Sequence, residues 1–564
     1  MKKSNNVPLS EYPRMQMVRD SYYCLNGDWD YLINTSDDLP STFFSKIVVP
    51  FSPEAPLSKV GRIVKPDEYL IYHRTFSLKK GFNKGRVFLH FTAVDQIAKV
   101  YLNNKLLGEH VGGFLPFSFE IQDDLKDEND LVVIVKDYSD TSYHSRGKQK
   151  IKRGGIWYTP QSGIYLPVWL ESTPNDYISR LKITPLFDEK KVEIIVNSNV
   201  DKEVTITLEK RTTIARSNTP IVIDLVNFHP WTVDDPYLYK FSVSLGLDQV
   251  SSYFGMRKIS LGLDEKGIKR FLLNNKPLFQ SGLLDQGYYQ DGLLTPPSDK
   301  DYIDDIMLAK NLGFNMLRKH IKIESPRWYY HCDRLGMLVW QDFVNGGEQY
   351  PFLSTVVPVL LKHHSKDDKY QKFGRLNEEG RSEFIDEACQ TIEYLYNSPS
   401  IVLWTIFNEG WGQFDSALLL NKMQEKDKTR LFDHASGWHD QMIGELKSDH
   451  VYFRKYVYKA DKLNRVNVLS EFGGYHLRIP GHAYSDKDFG YKRMKSVEQL
   501  SQAIVKLYET EIIPAAKLGL AASVYTQLSD VEDELNGLIT YDRKVVKVKP
   551  NLIRKINYKL TKDL

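Results

Sequence analysis

Between residues 20 and about 172 the chain alternates apolar and polar positions in short runs, among them RVFLHFTAV, AKVYLNN and LVVIVKDY. A period of two is what a strand with one buried face requires. Asn, Gly and Asp clusters separate the runs, and VYLNNKLLGEH predicts a hairpin turning at Asn103-Asn104. Many short strands at this spacing predict a jelly-roll β-sandwich. The texture repeats from 173 to about 262 in ISRLKITPL, KVEIIVNS, EVTITLEK and YKFSVSLG. Roughly seven strands in about ninety residues is the size of an immunoglobulin-like β-sandwich.

Near residue 263 the pattern changes, and apolar strands begin to alternate with helical periodicity. LFQSGLL (278–284) precedes a helix opening at Ser298-Asp299 and ending at Gly313. FNMLRKH (314–320) precedes a helix from Pro326. MLVWQDF (337–343), IVLWTIFNE (401–409), LFDHASG (431–437), HVYF (450–453), VNVLSEF (466–472) and ASVYTQL (522–528) follow. Eight strands in about 300 residues predict a TIM barrel. An open doubly wound sheet would want a Gly-rich first turn, which is absent. Pro550 opens a last amphipathic helix with Leu552, Ile553, Ile556 and Leu560 on one face. The predicted domains are therefore 1–172, 173–262 and 263–564.

Composition narrows the function classes. A net charge of +3, from 75 basic and 72 acidic residues, implies no strong field and argues against a nucleic-acid partner. Aromatics at 12% favour flat-faced ligands such as sugars, although β-rich proteins often share this value. Cys24, Cys332 and Cys389 have no zinc spacing and are odd in number, which fits a reducing compartment. MKKSNNVPLSEYPRMQM lacks the apolar run of a leader, and no stretch reaches the ~18 apolar residues of a membrane span. The expectation is a cytoplasmic protein without a membrane partner, with a homo-oligomer left open.

In a TIM barrel the active site lies at the C-terminal ends of the strands. Glu409 ends the strand IVLWTIFNE and Glu471 ends VNVLSEF, each where an apolar run gives way to glycines and aromatics. One such Glu alone is usually a solvated rim residue or an ion-pair partner. Two across one cavity are what glycosidic cleavage needs: one protonates the leaving oxygen, and the other attacks the anomeric carbon or activates water.

NSPSIVLWTIFNEGWG (397–412) resembles the acid/base segment of glycoside hydrolase family two, the β-galactosidase and β-glucuronidase group. VLSEFGG is similar to that family's nucleophile strand and GFNMLRKH to its second strand. LNGDWDY, YHRTF, GGIWYTPQSGIYLPVWLE and the domain order also match, so the resemblance spans nearly the whole chain. It implies a retaining exo-β-glycosidase with Glu409 as acid/base and Glu471 as nucleophile, their carboxyls ~5–5.5 Å apart. It further implies that Asn408 binds the sugar 2-OH, Arg318 pairs with Glu471, Tyr452 touches the nucleophile and His320 contacts sugar. No organic cofactor is implied. Some relatives bind Mg²⁺ or Na⁺, but no ligand set is evident here, and His363-His364 lacks a third partner.

Two departures touch specificity. Asp285 and Gln286 stand where the family's first strand carries Arg and His; Asp285 is expected to line the pocket and repel an acidic sugar, or else to cap its loop. Glucuronidases of the family hold the uronate with an Asn-x-Lys before G-[IL]-x-T-x-D-R, and here GLITYDR follows Glu534-Leu535-Asn536. A neutral, β-galactoside-like glycone is therefore expected first, then β-mannoside, β-galactofuranoside or arabinoside, with glucuronide last. A non-catalytic carbohydrate-binding protein on the same scaffold is the alternative. Trp411, Trp438, His439, Tyr525 and Gln527 are further sugar-contact candidates, each open to a packing role. The stretch 344–376 exceeds ordinary loop length and is read as a pocket wall or an oligomer contact.

Overall fold

The structure is a computed structural model that describes residues 7–40, 42–360 and 363–562. The first six residues, on which the leader reading partly rests, lie outside the described residues. So do residues 361–362 of the long loop.

The N-terminal region is a sandwich of two antiparallel sheets. Ser45–Val49, Gly27–Asn34, Tyr69–Phe76, Asn129–Lys136, Ile97–Leu102 and Lys105–Val111 form one, in that order. Tyr22–Cys24, Val168–Thr173, Arg86–Phe91 and Phe117–Glu120 form the other. Every second side chain turns inward, so Leu89, Phe91, Val100, Val133 and Leu170 meet in one core. The hairpin turns at Asn103 and Asn104, whose φ values of 53° and 69° suit Asn in a two-residue loop. A second sandwich of three and four strands follows, from Ile178–Leu186 to Asp248–Phe254.

Eight parallel strands then form the barrel wall: β1 (Gln280–Asp285), β2 (Met316–Lys319), β3 (Leu338–Asp342), β4 (Ile401–Thr405), β5 (Leu431–Asp433), β6 (Leu446–Val451), β7 (Val466–Gly473) and β8 (Leu520–Thr526). Backbone pairing runs β5-β4-β3-β2-β1-β8-β7-β6. The remaining seam, between β5 and β6, is bridged by side chains, with the Ser436 hydroxyl 2.9 Å from His450 Nε2. A small antiparallel sheet, Ile259–Leu263 with Lys269–Leu273 and Lys276–Pro277, sits under the barrel floor. Its Phe271 and Leu273 pack with Leu284, Met316 and Trp340.

Helix α1 (Asp299–Asn311) starts at Ser298, whose amide donates to Asp301 at 2.9 Å. Helix α2 (Pro326–Leu335) stops at Gly336, with φ 70°, where a Cβ would come within 2.5 Å of the Val233 carbonyl oxygen. Two readings need correction. Strand β6 is Leu446–Val451 rather than HVYF alone, because its inward positions Ser448 and His450 are polar and hide the alternation. Leu552 of the last helix is exposed, and Asn557 takes a buried place beside Ile553, Ile556 and Leu560, bonded to Ser281 Oγ at 2.7 Å.

Candidate active site

Past the end of β4 the chain keeps one further rung with the β5 loop: Glu409 N donates to Ser436 O at 2.9 Å and Ser436 N to Phe407 O at 2.8 Å. Glu409 itself is left-handed, with φ 50°, followed by Gly410 and Gly412 at 73° and 64°. That conformation costs a non-glycine residue about 1–2 kcal/mol, so the surrounding contacts must hold it there. A Cβ on Gly412 would lie 2.3 Å from the Gly346 carbonyl oxygen, which accounts for the glycines around the acid. The Glu409 side chain turns into the barrel mouth, with Oε1 2.8 Å from His450 Nδ1.

Glu471 reaches the same space from β7. A register shift in the pairing of β6 with β7 sets Glu471 opposite His450. Its Oε1 accepts from Arg318 Nη1 at 3.2 Å, and its Oε2 accepts from the Tyr452 hydroxyl. Tyr452 is in turn stacked on Tyr491, ring centroids 3.9 Å apart. The nearest ligand atoms of Glu409, His450 and Glu471 all lie within 4.8 Å of one another. Inverting enzymes hold their carboxyls ~6.5–9.5 Å apart to admit a water, and retaining ones only ~5–5.5 Å; the nearest atoms here come within the shorter of these spacings.

Arg318, fully buried on β2, ties the site together. Nη2 donates to Asn408 Oδ1 at 2.7 Å, Nε to both oxygens of Asp342 at 3.1 Å, and Nη1 to the Ser470 carbonyl oxygen at 3.1 Å as well as to Glu471. Arg318 takes Oδ1 of Asn408, and its buried Nδ2 has no partner among the described residues. A buried unpaired donor in a cavity is a ready ligand contact. His320 Nδ1 lies 2.8 Å from Asp342 Oδ2.

Electrostatics separate the groups. Burial raises the Glu471 carboxyl, but the His450 imidazole, the Arg318 guanidinium and the Tyr452 hydroxyl reverse this and hold it well below the ordinary carboxylate value. Arg318 is the permanent cation of that set. His320 is pushed by burial down to about 4, so it stands neutral at neutral pH. Glu471 is thus an ionised carboxylate. Although Glu409, His450 and Glu471 have the spacing of a metal-ligand set, His450 Nδ1 already bonds Glu409 and a guanidinium sits on Glu471. The set does not fit a cation.

Trp411 closes one side of the mouth, its ring 5.0 Å from Trp157 of the jelly roll, 6.3 Å from His320 and 6.5 Å from Tyr350 of the long loop. Trp438 stands edge-on to His450 at 5.5 Å, with its buried Nε1 unpartnered. The loop 344–376 forms wall here through Tyr350.

Four expected contacts lie elsewhere. Asp285 does not face the pocket: Lys319 Nζ binds its Oδ2 at 2.7 Å, and its Oδ1 accepts from Gly287 N at 2.9 Å, the loop-capping role. The strand alternation sends it, with Lys319, to the helix side of the wall. Tyr525 also points outward, edge-on to Phe472 and filling the space beside Gly473, where a Cβ would meet its ring at 2.3 Å. Gln527 is fully buried, spanning Gln286 Nε2 at 2.7 Å and Asn536 Oδ1 at 2.8 Å. His439 is a loop anchor, donating from Nε2 to Ser354 O at 2.6 Å and accepting the Ser365 amide on Nδ1 at 3.0 Å.

His450 and Asp342 are the members that the sequence reading passed over. His450 stands two residues before Tyr452, so strand alternation places it on the same inward face. Asp342 ends β3 as the two glutamates end their runs.

Comparison with known proteins agrees with this geometry. The family model for the TIM barrel domain of glycosyl hydrolases family 2 matches residues 266–475, its sugar binding domain matches 59–174, and its third model matches 177–257. A putative beta-glucuronidase of Formosa agariphila is 25% identical over 60% of this chain and 39% of its own length. A beta-galactosidase of Thermoanaerobacter pseudethanolicus is 27% identical over 56% of this chain and 46% of its own. The chain thus spans less than half the length of these curated relatives. The beta-D-glucuronidase of Dictyoglomus thermophilum shares the fold with TM-score 0.74 at 17% identity, covering 97% of this chain and 99% of that one. A beta-galacturonidase of Eisenbergiella tayi does so with TM-score 0.69 at 19% identity, covering 97% and 99%. With one family's models matching all three regions in this order, the chain belongs to glycosyl hydrolases family 2.

Proposed function

We propose that this protein is a retaining exo-β-glycosidase acting by double displacement. The observation that carries the reading is the approach of Glu409 and Glu471 within 4.8 Å across the mouth of the barrel, with Arg318 on Glu471. Glu471, held ionised, attacks the anomeric carbon. Glu409 donates its proton to the departing oxygen, and the glycosyl–enzyme ester forms as the glycosidic bond breaks. Glu409, now a carboxylate, takes a proton from water, which attacks the same carbon and releases Glu471. The free Nδ2 of Asn408 bonds the sugar 2-OH. His450 fixes the orientation of Glu409, and Trp438 offers an apolar face. Tyr452 steadies the unattacked oxygen of Glu471.

The glycone is argued from charge. The expectation of a neutral, β-galactoside-like sugar rested on Asp285 and on the missing Asn-x-Lys clamp. Asp285 is neutralised by Lys319 and turned away, so the first ground falls. The second stands at its own position: Asn536 Nδ2 donates to Glu534 at 2.9 Å, and the Tyr158 hydroxyl donates to the same carboxylate. Relatives carrying both the galactosidase and the glucuronidase name leave both sugars to be tried.

The test is a panel of p-nitrophenyl glycosides: β-galactoside, β-glucoside, β-mannoside, β-glucuronide, β-galactofuranoside and both arabinosides, with Glu471→Gln as control. Hydrolysis of one glycone with retention, lost by about 10⁴-fold or more in the control, is expected. Inversion of the anomer, or full activity in Glu471→Gln, would sink the mechanism. Silence on every glycone would favour the carbohydrate-binding alternative.

A further inference from the structure

Buried cations around the barrel mouth bond carboxylates or, in Arg146 and Arg375, backbone carbonyl oxygens; Lys148 does neither. Arg318 has Asp342 and Glu471, Lys319 has Asp285 and Glu324, Lys322 has Glu324, and Lys547 has Asp530. Lys148 is only 6% exposed, yet among the described residues no hydrogen-bond acceptor or carboxylate is bonded to its ammonium. It touches ring faces alone, 5.6 Å from the centroid of Trp411 and 5.3 Å from that of Tyr158. Trp411 is two residues beyond Glu409. Tyr158 donates its hydroxyl to Glu534, the first residue of the triplet that stands where the family's uronate clamp would be.

Lys148 does not belong to the barrel. It rides on the jelly-roll segment 144–158, which is pinned to the barrel top. Arg146 N donates to Asn345 O at 3.0 Å, and Gly147, at φ 63°, lies so close that a Cβ would be 2.7 Å from the Ile321 carbonyl oxygen. The Tyr158 amide bonds the Lys148 carbonyl oxygen at 3.0 Å, so the backbone under the side chain is fixed from both ends. Burial drives the His320 imidazole down, and the charge of Lys148 adds to that, so the two lie within electrostatic reach of each other.

The Lys148 ammonium keeps an open side, and two ring faces satisfy only part of its charge. Structural lysines answer this by pairing, as Lys319 does. An unpaired ammonium held on a fixed backbone beside the Glu409 loop is instead arranged to receive charge from a ligand. We propose that Lys148 forms an anion-binding subsite between Trp411 and Tyr158, so that the substrate is an acidic glycoside carrying a carboxylate or a sulfate ester. The positive charge missing from Glu534-Leu535-Asn536 is thereby supplied from another domain. This assignment rests on the glycosidase reading above for its catalytic test, but not for its binding test.

The catalytic arm measures kcat/KM for p-nitrophenyl β-glucuronide, β-galacturonide and 6-sulfo-β-galactoside against β-glucoside and β-galactoside, in the native enzyme, Lys148→Met and Lys148→Arg. One acidic substrate is expected to exceed its neutral counterpart by at least ~10-fold, which of them telling carboxylate from sulfate. In Lys148→Met the acidic-to-neutral ratio should fall ~100-fold, the scale of losing one partner of a buried charge pair, and Lys148→Arg should restore part of it. An unchanged ratio in Lys148→Met, or a native preference for the neutral sugar, overturns the assignment. The binding arm uses Glu471→Gln and calorimetry with glucuronate, galacturonate, inorganic sulfate, glucose and galactose. Anions binding tighter than neutral sugars, and losing that advantage in Glu471→Gln/Lys148→Met, upholds it even if no substrate turns over. Equal binding of charged and neutral ligands overturns it even if the protein is an active glycosidase.

Discussion

Arg318 and Lys319 are consecutive residues of one strand, both fully buried, both positively charged, and they serve opposite sides of the barrel wall. Arg318 points inward and holds Glu471, Asn408 and Asp342 at the mouth. Lys319 points outward and holds Asp285 and Glu324 under helix α2, its ammonium 4.1 Å from the centre of the Trp328 ring. Strand alternation alone makes this division. The comparison teaches that burial and pairing do not by themselves mark a functional cation. What marks it is the side of the wall and whether the acceptors it organises still have atoms free for a ligand.

The comparison can be broken most forcefully at Arg318. Arg318→Met should lower kcat/KM by about 10³-fold or more, because it removes the fixed positive charge from the nucleophile and the bond that orients Asn408. Its structural partner supplies the contrast: Lys319→Met should cost about 3–5 kcal/mol of stability by stranding Asp285 and Glu324. Activity per folded molecule should stay within a few-fold in that variant. Urea unfolding monitored beside initial rates separates the two, and equal activity losses in both variants would erase the distinction drawn here.

A smaller effect is expected at His450. His450→Gln should cost roughly 10–100-fold in kcat for glycosides with poor leaving groups and less for activated aryl glycosides, since general acid help is what Glu409 provides. A loss independent of leaving-group pKa would remove His450 from the orientation of the acid.

The smallest effect concerns pH. Burial lowers His439 to about 4, and its Nδ1 must stay unprotonated to accept the Ser365 amide. A histidine whose folded-state pKa lies below the unfolded value of ~6.5 binds fewer protons when folded. Its contribution is complete above about pH 6.5 and is lost as the pH falls toward 4. His320, also near 4, acts in the same window and with the same sign. Glu471 contributes lower down, with stability present above its unfolded value of ~4.3 and lost as the pH falls toward its lowered folded value. Unfolding midpoints at pH 7 and pH 5 should therefore differ, and His439→Gln should narrow the gap; an unchanged gap would show that the 344–376 anchor does not titrate.

Much of this was legible from residues alone. Inward alternation exposed both sandwiches, and eight apolar runs exposed the barrel, because those patterns are local. Glu409 and Glu471 stood out because a carboxylate at the end of a buried run has to face either a partner or a cavity. Strand β6 was half hidden for the converse reason: Ser448 and His450 are polar yet inward, so no hydrophobic period marks them. Asp285 and Tyr525 stayed open between pocket and packing because a strand-end residue faces in or out according to its phase within the strand.

What the sequence determined by itself was therefore the three-domain order, the barrel, and the two strands that deliver carboxylates to its mouth. Tertiary structure alone decided how the charges of the site are paired: that Lys319 takes Asp285 away, that His450 touches Glu409, that His439 anchors a loop, and that a lysine 170 residues before Arg318 arrives beside Trp411 with no bonded partner among the described residues. The physical reason is range. Periodicity is set by neighbours along the chain, whereas a buried charge takes its partner from whatever the fold brings within about 4 Å, at any distance in sequence.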